Sequence, residues 1–331
     1  MKKNSPAYWL ICCMSLLLGA CASMQRSHAP ATSIKKPAIS IKKSTAVPVT
    51  GHVDQAALLS SNDPKLAENK RLVYDMWRTL IDAHDVEAAK LYLASDYIQH
   101  NPIADTGRAG VLAFFASLGK PRPIQPQMKA NLVAIVAEKD LVALVQVDKQ
   151  TLPHPYTTTW FDLFRIKNHR IVEHWDHGIL PEGMTPRNYV PVTVNPDEQA
   201  ALSSPDPQLA ANKQRVYDMW RVLLNAQQVD KAPLYLAKDY IQHNPRVDTG
   251  LTGFMHFFRQ FAVPKAVQPT VRNFVNIIAE GDLVILATVA TEEDVRGKPY
   301  TTTWFDMFRV KDGKMAEHWD TGRLPIPQAA H

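Results

Sequence analysis

The sequence predicts an α+β protein made of two tandem copies of one domain, each a curved antiparallel sheet wrapped around helices. Three observations predict it. The stretch YTTTWFDLFRIKNHRIVEHWD, Tyr156 to Asp176, returns almost unchanged as YTTTWFDMFRVKDGKMAEHWD, Tyr300 to Asp320. The offset between copies, read from Asn69 to Asn212, is far longer than a solenoid period and marks a duplicated domain. Within each copy helical patterns come first and strand patterns follow, which is the α+β order. A chain of 331 residues has room for two such domains.

The N-terminal part belongs to neither copy. Lys2 and Lys3 precede a short apolar run, Trp9 to Leu18, and then Leu18-Gly19-Ala20-Cys21. This pattern reads as a secretory signal over residues 1–20. The last four residues resemble a bacterial lipobox, which implies lipidation at Cys21. With Ala22 next, the expected place is the cell envelope, anchored at the outer membrane and facing the periplasm. Cleavage there removes Cys12 and Cys13, so the mature chain keeps one cysteine and has no internal disulfide. Residues 1–53 hold seven Lys or Arg and no acid. Of the net charge of +5, the remainder therefore carries −2, which argues against nucleic acid as a partner. Residues 21–54 are rich in Ser, Thr, Ala, Pro and Lys without periodicity, and are expected to be a disordered basic tether. The copies are expected at 55–183 and 197–327, with 184–196 as the linker.

Each copy then reads the same way. Asp63-Pro64 and Asp206-Pro207 place an N-cap before a proline at the first helical position. Leu72, Val73, Met76, Trp77 and Leu80 give the following helix one apolar face. The motif DYIQHNP, Asp96 to Pro102 and Asp239 to Pro245, is an extended segment ended by proline. Leu91-Tyr92-Leu93 and Leu234-Tyr235-Leu236 read as a second short helical stretch, and Gly107 and Gly250 open a further helix bearing Phe114-Phe115 and Phe257-Phe258. Strand patterns follow at Met128–Ala137, Leu141–Lys149, Tyr156–Ile166 and Ile171–Asp176.

The last two strands form a hairpin, and in copy two Asp312-Gly313 is a strong two-residue turn signal. An ideal register from that turn sets Met307 opposite His318, Asp306 opposite Trp319 and Phe305 opposite Asp320. Asp306, Glu317 and Trp319 then share one face, with His318 and Asp320 on the other. The acids and the imidazole line one cavity only if a β-bulge shifts that register.

Taken together, YIQHNP, the Gly-led helix with Phe-Phe, E-G-D-L-V, D-x-F-R-x-x-D-G-K and E-H-W-D resemble the SnoaL-like polyketide cyclases of the NTF2-like superfamily, over about four fifths of the chain. The resemblance implies a cone-shaped fold with a ligand pocket, and cofactor-free acid/base chemistry beside a carbonyl, as in aldol cyclisation or isomerisation. By position it places the cyclases' acid/base Asp on Asp176 and Asp320. It places the oxyanion-stabilising acid of ketosteroid isomerase on Asp162 and Asp306. Two departures stand out. Many relatives carry a His where this chain has Val145 and Ala287, and Gly107 is followed by Arg108 where Gly250 is followed by Leu251.

The candidate catalytic set is therefore Asp162, His174, Asp176 and His100, with Asp306, His318, Asp320 and His243. Burial of Asp162 or Asp306 would raise its pKa and keep a neutral donor. His174 with Asp176, and His318 with Asp320, can pair for proton transfer. Joined by His100 or His243 they would make a two-His, one-carboxylate metal set, but the resemblance implies no metal and no cofactor. His100 and His243 can equally fix their own turn. Trp77, Tyr97, Trp160 and Trp175, with Trp220, Tyr240, Trp304 and Trp319, are expected to wall the pocket around a small apolar carbonyl-type ligand. The alternative is a non-catalytic ligand-binding or envelope-associated module on the same fold. Both copies keep an apolar outer sheet face, so the two are expected to pack sheet to sheet as an internal pseudo-dimer.

Overall fold

The computed structural model describes residues 44–325. The signal segment, Cys21 and most of the tether lie outside the described residues. Among the described residues no helix is long and apolar enough to cross a membrane.

In copy one the elements run α1 (Pro64–Met76), α2 (Val86–Ala89), β1 (Leu93–Gln99), α3 (Arg108–Ser117), β2 (Leu132–Glu138), β3 (Leu141–Gln150), β4 (Tyr156–Lys167) and β5 (Arg170–Asp176). Copy two adds a short leading helix, α4 (Glu198–Leu202), and then repeats the order. Its elements are α5 (Pro207–Met219), α6 (Ala232–Tyr235), β6 (Leu236–Gln242), α7 (Gly250–Arg259), β7 (Phe274–Glu280), β8 (Leu283–Glu293), β9 (Pro299–Lys311) and β10 (Lys314–Asp320). The capping signals act as expected: the Asp63 carboxylate accepts from Lys65 N–H, and that of Asp206 from Gln208 N–H.

Each sheet has five strands, ordered β1-β5-β4-β3-β2 and β6-β10-β9-β8-β7. The sheets are mixed, not wholly antiparallel, because the DYIQHNP strand pairs parallel to the last strand of its copy. The hairpin turns have positive φ at both central residues, Asn168-His169 and Asp312-Gly313, as a type I′ turn requires.

The ideal register past that turn is overturned. One extra residue, Val172 in β5 and Ala316 in β10, bulges out of the ladder. Beyond it His318 faces Phe308, Trp319 faces Met307 and Asp320 faces Asp306. The bulge turns His174, Asp176, His318 and Asp320 onto the helix-covered inner face, together with Asp162 and Asp306.

The inner face packs under α1 and α3 through Val73, Leu112, Leu144 and Phe164, and copy two packs likewise. The outer faces meet each other. Phe161, Leu163 and Trp175 share one apolar cluster with Phe305, Met307 and Trp319. The Phe161 and Phe305 rings stack at 5.6 Å. At the sheet edges the contacts are reciprocal. Lys70 meets Glu280 at 2.7 Å, and the fully buried Lys213 meets Glu138 at 2.7 Å. The other oxygen of each glutamate accepts an N–H from the opposite edge strand, that of Ala137 or of Ala279.

Residues 44–54, which the sequence places at the end of the tether, are among the described residues. Residues 44–50 form an extended strap on copy two, where Val47 N–H donates to Gln242 O and Val49 enters the apolar layer between the sheets. The chain then crosses to copy one, where His52 N–H donates to Leu132 O. The linker mirrors this. Val190 N–H donates to Gln99 O on copy one, Val192 enters the same layer, and Asn195 N–H donates to Phe274 O on copy two.

Candidate functional site

The bulged strand assembles a buried cluster inside each cone. In copy one, His174 Nε2 lies 3.0 Å from Asp162 Oδ1 and 3.9 Å from Asp176 Oδ2. In copy two, His318 Nε2 lies 2.9 Å from Asp306 Oδ1 and 3.8 Å from Asp320 Oδ2. All six side chains are buried.

Two glutamines, Gln99 and Gln242, fix the imidazoles. Asn101 N–H donates to Gln99 Oε1 at 3.0 Å, so that atom is an acceptor. His174 Nδ1 sits 2.9 Å from it and must therefore carry a proton. The unshared side of the ring, Nε2, faces Asp162, and one proton lies between them. Copy two repeats the arrangement with Asn244 N–H, Gln242 Oε1 and His318 Nδ1. The signal that could have found Gln99 and Gln242 was the identity of YIQHNP in both copies.

Burial pushes Asp162 well above the usual carboxylate range and Asp306 up to about 6. Burial likewise pulls His174 down to about 4. For His318 burial pulls down too, but the Asp306 hydrogen bond and the charges of Asp320 and Asp306 leave it raised. The two imidazoles thus shift in opposite directions. Because the geometry is the same in both copies, we assign each pair one shared proton.

Asp176 and Asp320 take a different part. Asp176 accepts from Asn101 Nδ2 at 2.7 Å and from Gly178 N–H at 2.9 Å. Asp320 accepts from Asn244 and Gly322 in the same way. Burial raises Asp176 to about 6. Glycine is required at 178 and 322, since a Cβ there would meet the side chain of Asn101 or Asn244 at 2.6 or 2.3 Å. These aspartates anchor the turn after YIQHNP to the last strand.

Four expected site residues lie elsewhere. His100 and His243 are on the outer side, because Glu173 and Glu317, one residue before the site histidines, point the opposite way along the strand. His100 Nδ1 donates to Val190 O and Nε2 to Glu173 at 2.9 Å, and Glu173 also holds Arg165. His243 does the same with Val47 O and Glu317. These bonds to His100 and Arg165 hold Glu173 below its ordinary value although burial works against them. Trp175 and Trp319 are on that side too, stacked on His100 and His243. They belong to the layer between the sheets and not to a pocket wall.

Tyr97 and Trp77 are buried in the core of copy one and Tyr240 in that of copy two, and Trp220 edges Phe308 at 6.5 Å. Trp160 and Trp304 share the inner face with the site aspartates, and each is met from the other copy. Arg323 lies over Trp160 at 5.9 Å, and His177 meets Trp304 at 5.2 Å. A cavity of about 480 Å³ lies beside the linker, lined by Glu198, Tyr217, Val271 and Phe274; none of the site acids lines it.

Residues 73–174 and 214–318 match the SnoaL-like domain profile. The chain belongs to the SnoaL-like family. Similar solved structures of this kind each align with about one copy. TsrD of Streptomyces laurentii is 21% identical over 35% of this chain and 90% of its own, with a TM-score of 0.25. IdmH of Streptomyces antibioticus, a candidate polyketide cyclase, is 22% identical over 33% and 89%, with a TM-score of 0.25. A LEH-like epoxide hydrolase of M. tuberculosis is 16% identical over 34% and 84%, with a TM-score of 0.26. No curated protein matches the chain. In this SnoaL-like pair, Asp162, His174 and Asp176, and likewise Asp306, His318 and Asp320, could also present three ligand atoms to a metal ion. An ion there would have to displace the shared proton.

Proposed function

We propose that the protein is a small-molecule enzyme of SnoaL-like type, working by cofactor-free acid/base chemistry next to a carbonyl. The observation that carries this is the buried Asp–His pair, 3.0 Å apart in copy one and 2.9 Å in copy two, with each imidazole also held by a glutamine. Such a pair can take a proton from the carbon beside a carbonyl onto the aspartate. The C–H electrons become those of the enolate, and the pair's added positive charge offsets the enolate's negative one. Returning the proton to another carbon gives isomerisation. Attack of the enolate carbon on a second carbonyl of the same molecule, with the proton passed to the new alkoxide, gives aldol closure. Hydrogen–deuterium exchange in D2O, read by mass spectrometry on a panel of apolar diketones, tests this. Exchange beside the carbonyl should require Asp306 or Asp162 as the proton acceptor, and should vanish when both are Asn. No exchange with any member of the panel by the wild type would count against the enzyme.

A second reading, a non-catalytic ligand-binding or envelope-associated module, is favoured by the cavity, which lies away from the acids. Under both readings we place the protein in the bacterial envelope, lipid-anchored through Cys21. Cys21→Ser should release it from the membrane fraction, and unchanged fractionation removes the anchor. We further propose that the two copies act as an internal pseudo-dimer, supported by the shared apolar layer and the reciprocal lysine–glutamate pairs.

A further inference from the structure

The two clusters are alike in their pairs but not in their surroundings. In copy one both oxygens of Asp162 are engaged. Oδ1 meets His174, and Oδ2 accepts from Gln146 Nε2 at 3.0 Å. In copy two Asp306 Oδ1 meets His318, while Oδ2 is buried without a hydrogen-bond partner. The Trp304 side chain damps the rise of the Asp306 carboxyl, yet it is not within hydrogen-bond geometry of Oδ2.

The cause is one strand. Gln146 on β3 pairs with Trp160, so it lies diagonal to Asp162 on the same face. Its twin on β8, paired with Trp304, is Thr288, whose side chain is too short to cross that diagonal. Two residues further along the same face the difference recurs. Copy one has Asp148, which binds Arg323 at 2.8 Å beneath the cation's contact with Trp160. Copy two has Ala290 at the paired position. Trp77 is buried, whereas its twin Trp220 is partly exposed and leads through Phe308, stacked on His318 at 4.7 Å, to the pair. An orphaned buried acceptor costs stability, and copy one shows that a single side chain removes that cost.

We propose that only copy two receives a ligand, at Asp306 Oδ2, and that Gln146 and Asp148 hold copy one shut. The ligand is an uncharged apolar molecule with an O–H donor, such as the enol of a carbonyl compound. Tyr240, Phe308 and Trp304 supply apolar walls, and Oδ2 supplies the acceptor. This rests on the cone being a ligand site, as proposed above, and adds which copy is used and why.

The test uses the full-length chain in detergent with 4-fluorophenol as the probe, followed by fluorine NMR, with thermal melts as the folding control. Wild type should bind one equivalent. Thr288→Gln should bind none at the same concentration, and Gln146→Thr with Asp148→Ala should bind two. Two equivalents on wild type, or one retained by Thr288→Gln, overturns the division between the copies. One equivalent on the opened copy-one variant overturns the role of Gln146 and Asp148. Binding by no variant removes the cone as a ligand site, and this proposal with it. Should Thr288→Gln fail to fold, the opened variant still decides.

Discussion

Replacing Asp162 by Asn asks directly whether the buried pair is neutral. If Asp162 is a carboxylic acid, its Oδ1–H donates to His174 Nε2 and its Oδ2 accepts from Gln146. An asparagine reproduces both bonds, with its NH2 toward the imidazole and its oxygen toward the glutamine. The expected cost is within about 1 kcal/mol, since no hydrogen bond is lost. Asp162→Ala removes both bonds and strands His174 Nε2 and the Gln146 amide, at about 1–3 kcal/mol each. The expected loss is therefore roughly 2–6 kcal/mol, and the Ala–Asn difference is the signal. The pH dependence carries a second signature. Burial raises Asp162 in the folded state, so its contribution is full below its ordinary value of 3.8 and is lost as pH rises toward the folded value. The Asn variant escapes that loss and should gain on wild type between pH 4 and neutrality. Urea unfolding at several pH values, with the slope m checked for constancy, provides the assay. An Asn variant weaker by about 3–5 kcal/mol, the scale of an unpaired buried charge, would refute the neutral pair.

Three further outcomes are expected. Burial pulls His177 down to about 4 in the folded state, so its contribution is present above 6.5 and lost as pH falls from 6.5 toward 4. His177→Thr, the residue at its twin Thr321, should flatten that acid limb by about 3 kcal/mol in denaturation titrations; an unchanged limb removes His177 as its source. Glu138→Gln leaves the fully buried Lys213 without its counter-charge and should cost on the order of 3–5 kcal/mol by the same measurement; a change below about 1 kcal/mol shows the pair is dispensable. Light scattering on residues 44–331 should give the mass of one chain, and a stable dimer there contradicts the internal pair.

The legibility of this chain divides along local and tertiary lines. The turn at Asp312-Gly313, the caps at Asp63 and Asp206 and the strand alternation are set by neighbours in sequence, and were readable. The bulge at Val172 and Ala316 was not, because neither residue is a glycine or otherwise marked. It was anticipated only as the condition for acids and imidazole to meet. That single residue decided which tryptophans face inward and which acid pairs with which histidine. His100 and His243 lie on the outer side because alternation along their strand turns Gln99 and Gln242, not the histidines, toward the site. Gln146 was invisible as a site residue because its meaning lies in a diagonal across two strands. The strap over residues 44–50 reads as tether by composition, and its order comes from Gln242 and the apolar layer that Val49 enters.

The crossed straps bear on how such a molecule is cut or fused. Each copy is completed by the peptide that leads into the other, since His100 needs Val190 O and His243 needs Val47 O. A single copy taken with its own leading peptide carries the piece its twin requires and lacks its own. Two such molecules can satisfy each other only by trading arms, a bimolecular event that dilution reverses. Fusing the copies makes the trade intramolecular, at an effective concentration in the millimolar range. Duplication here thus replaces an association constant with a length of chain.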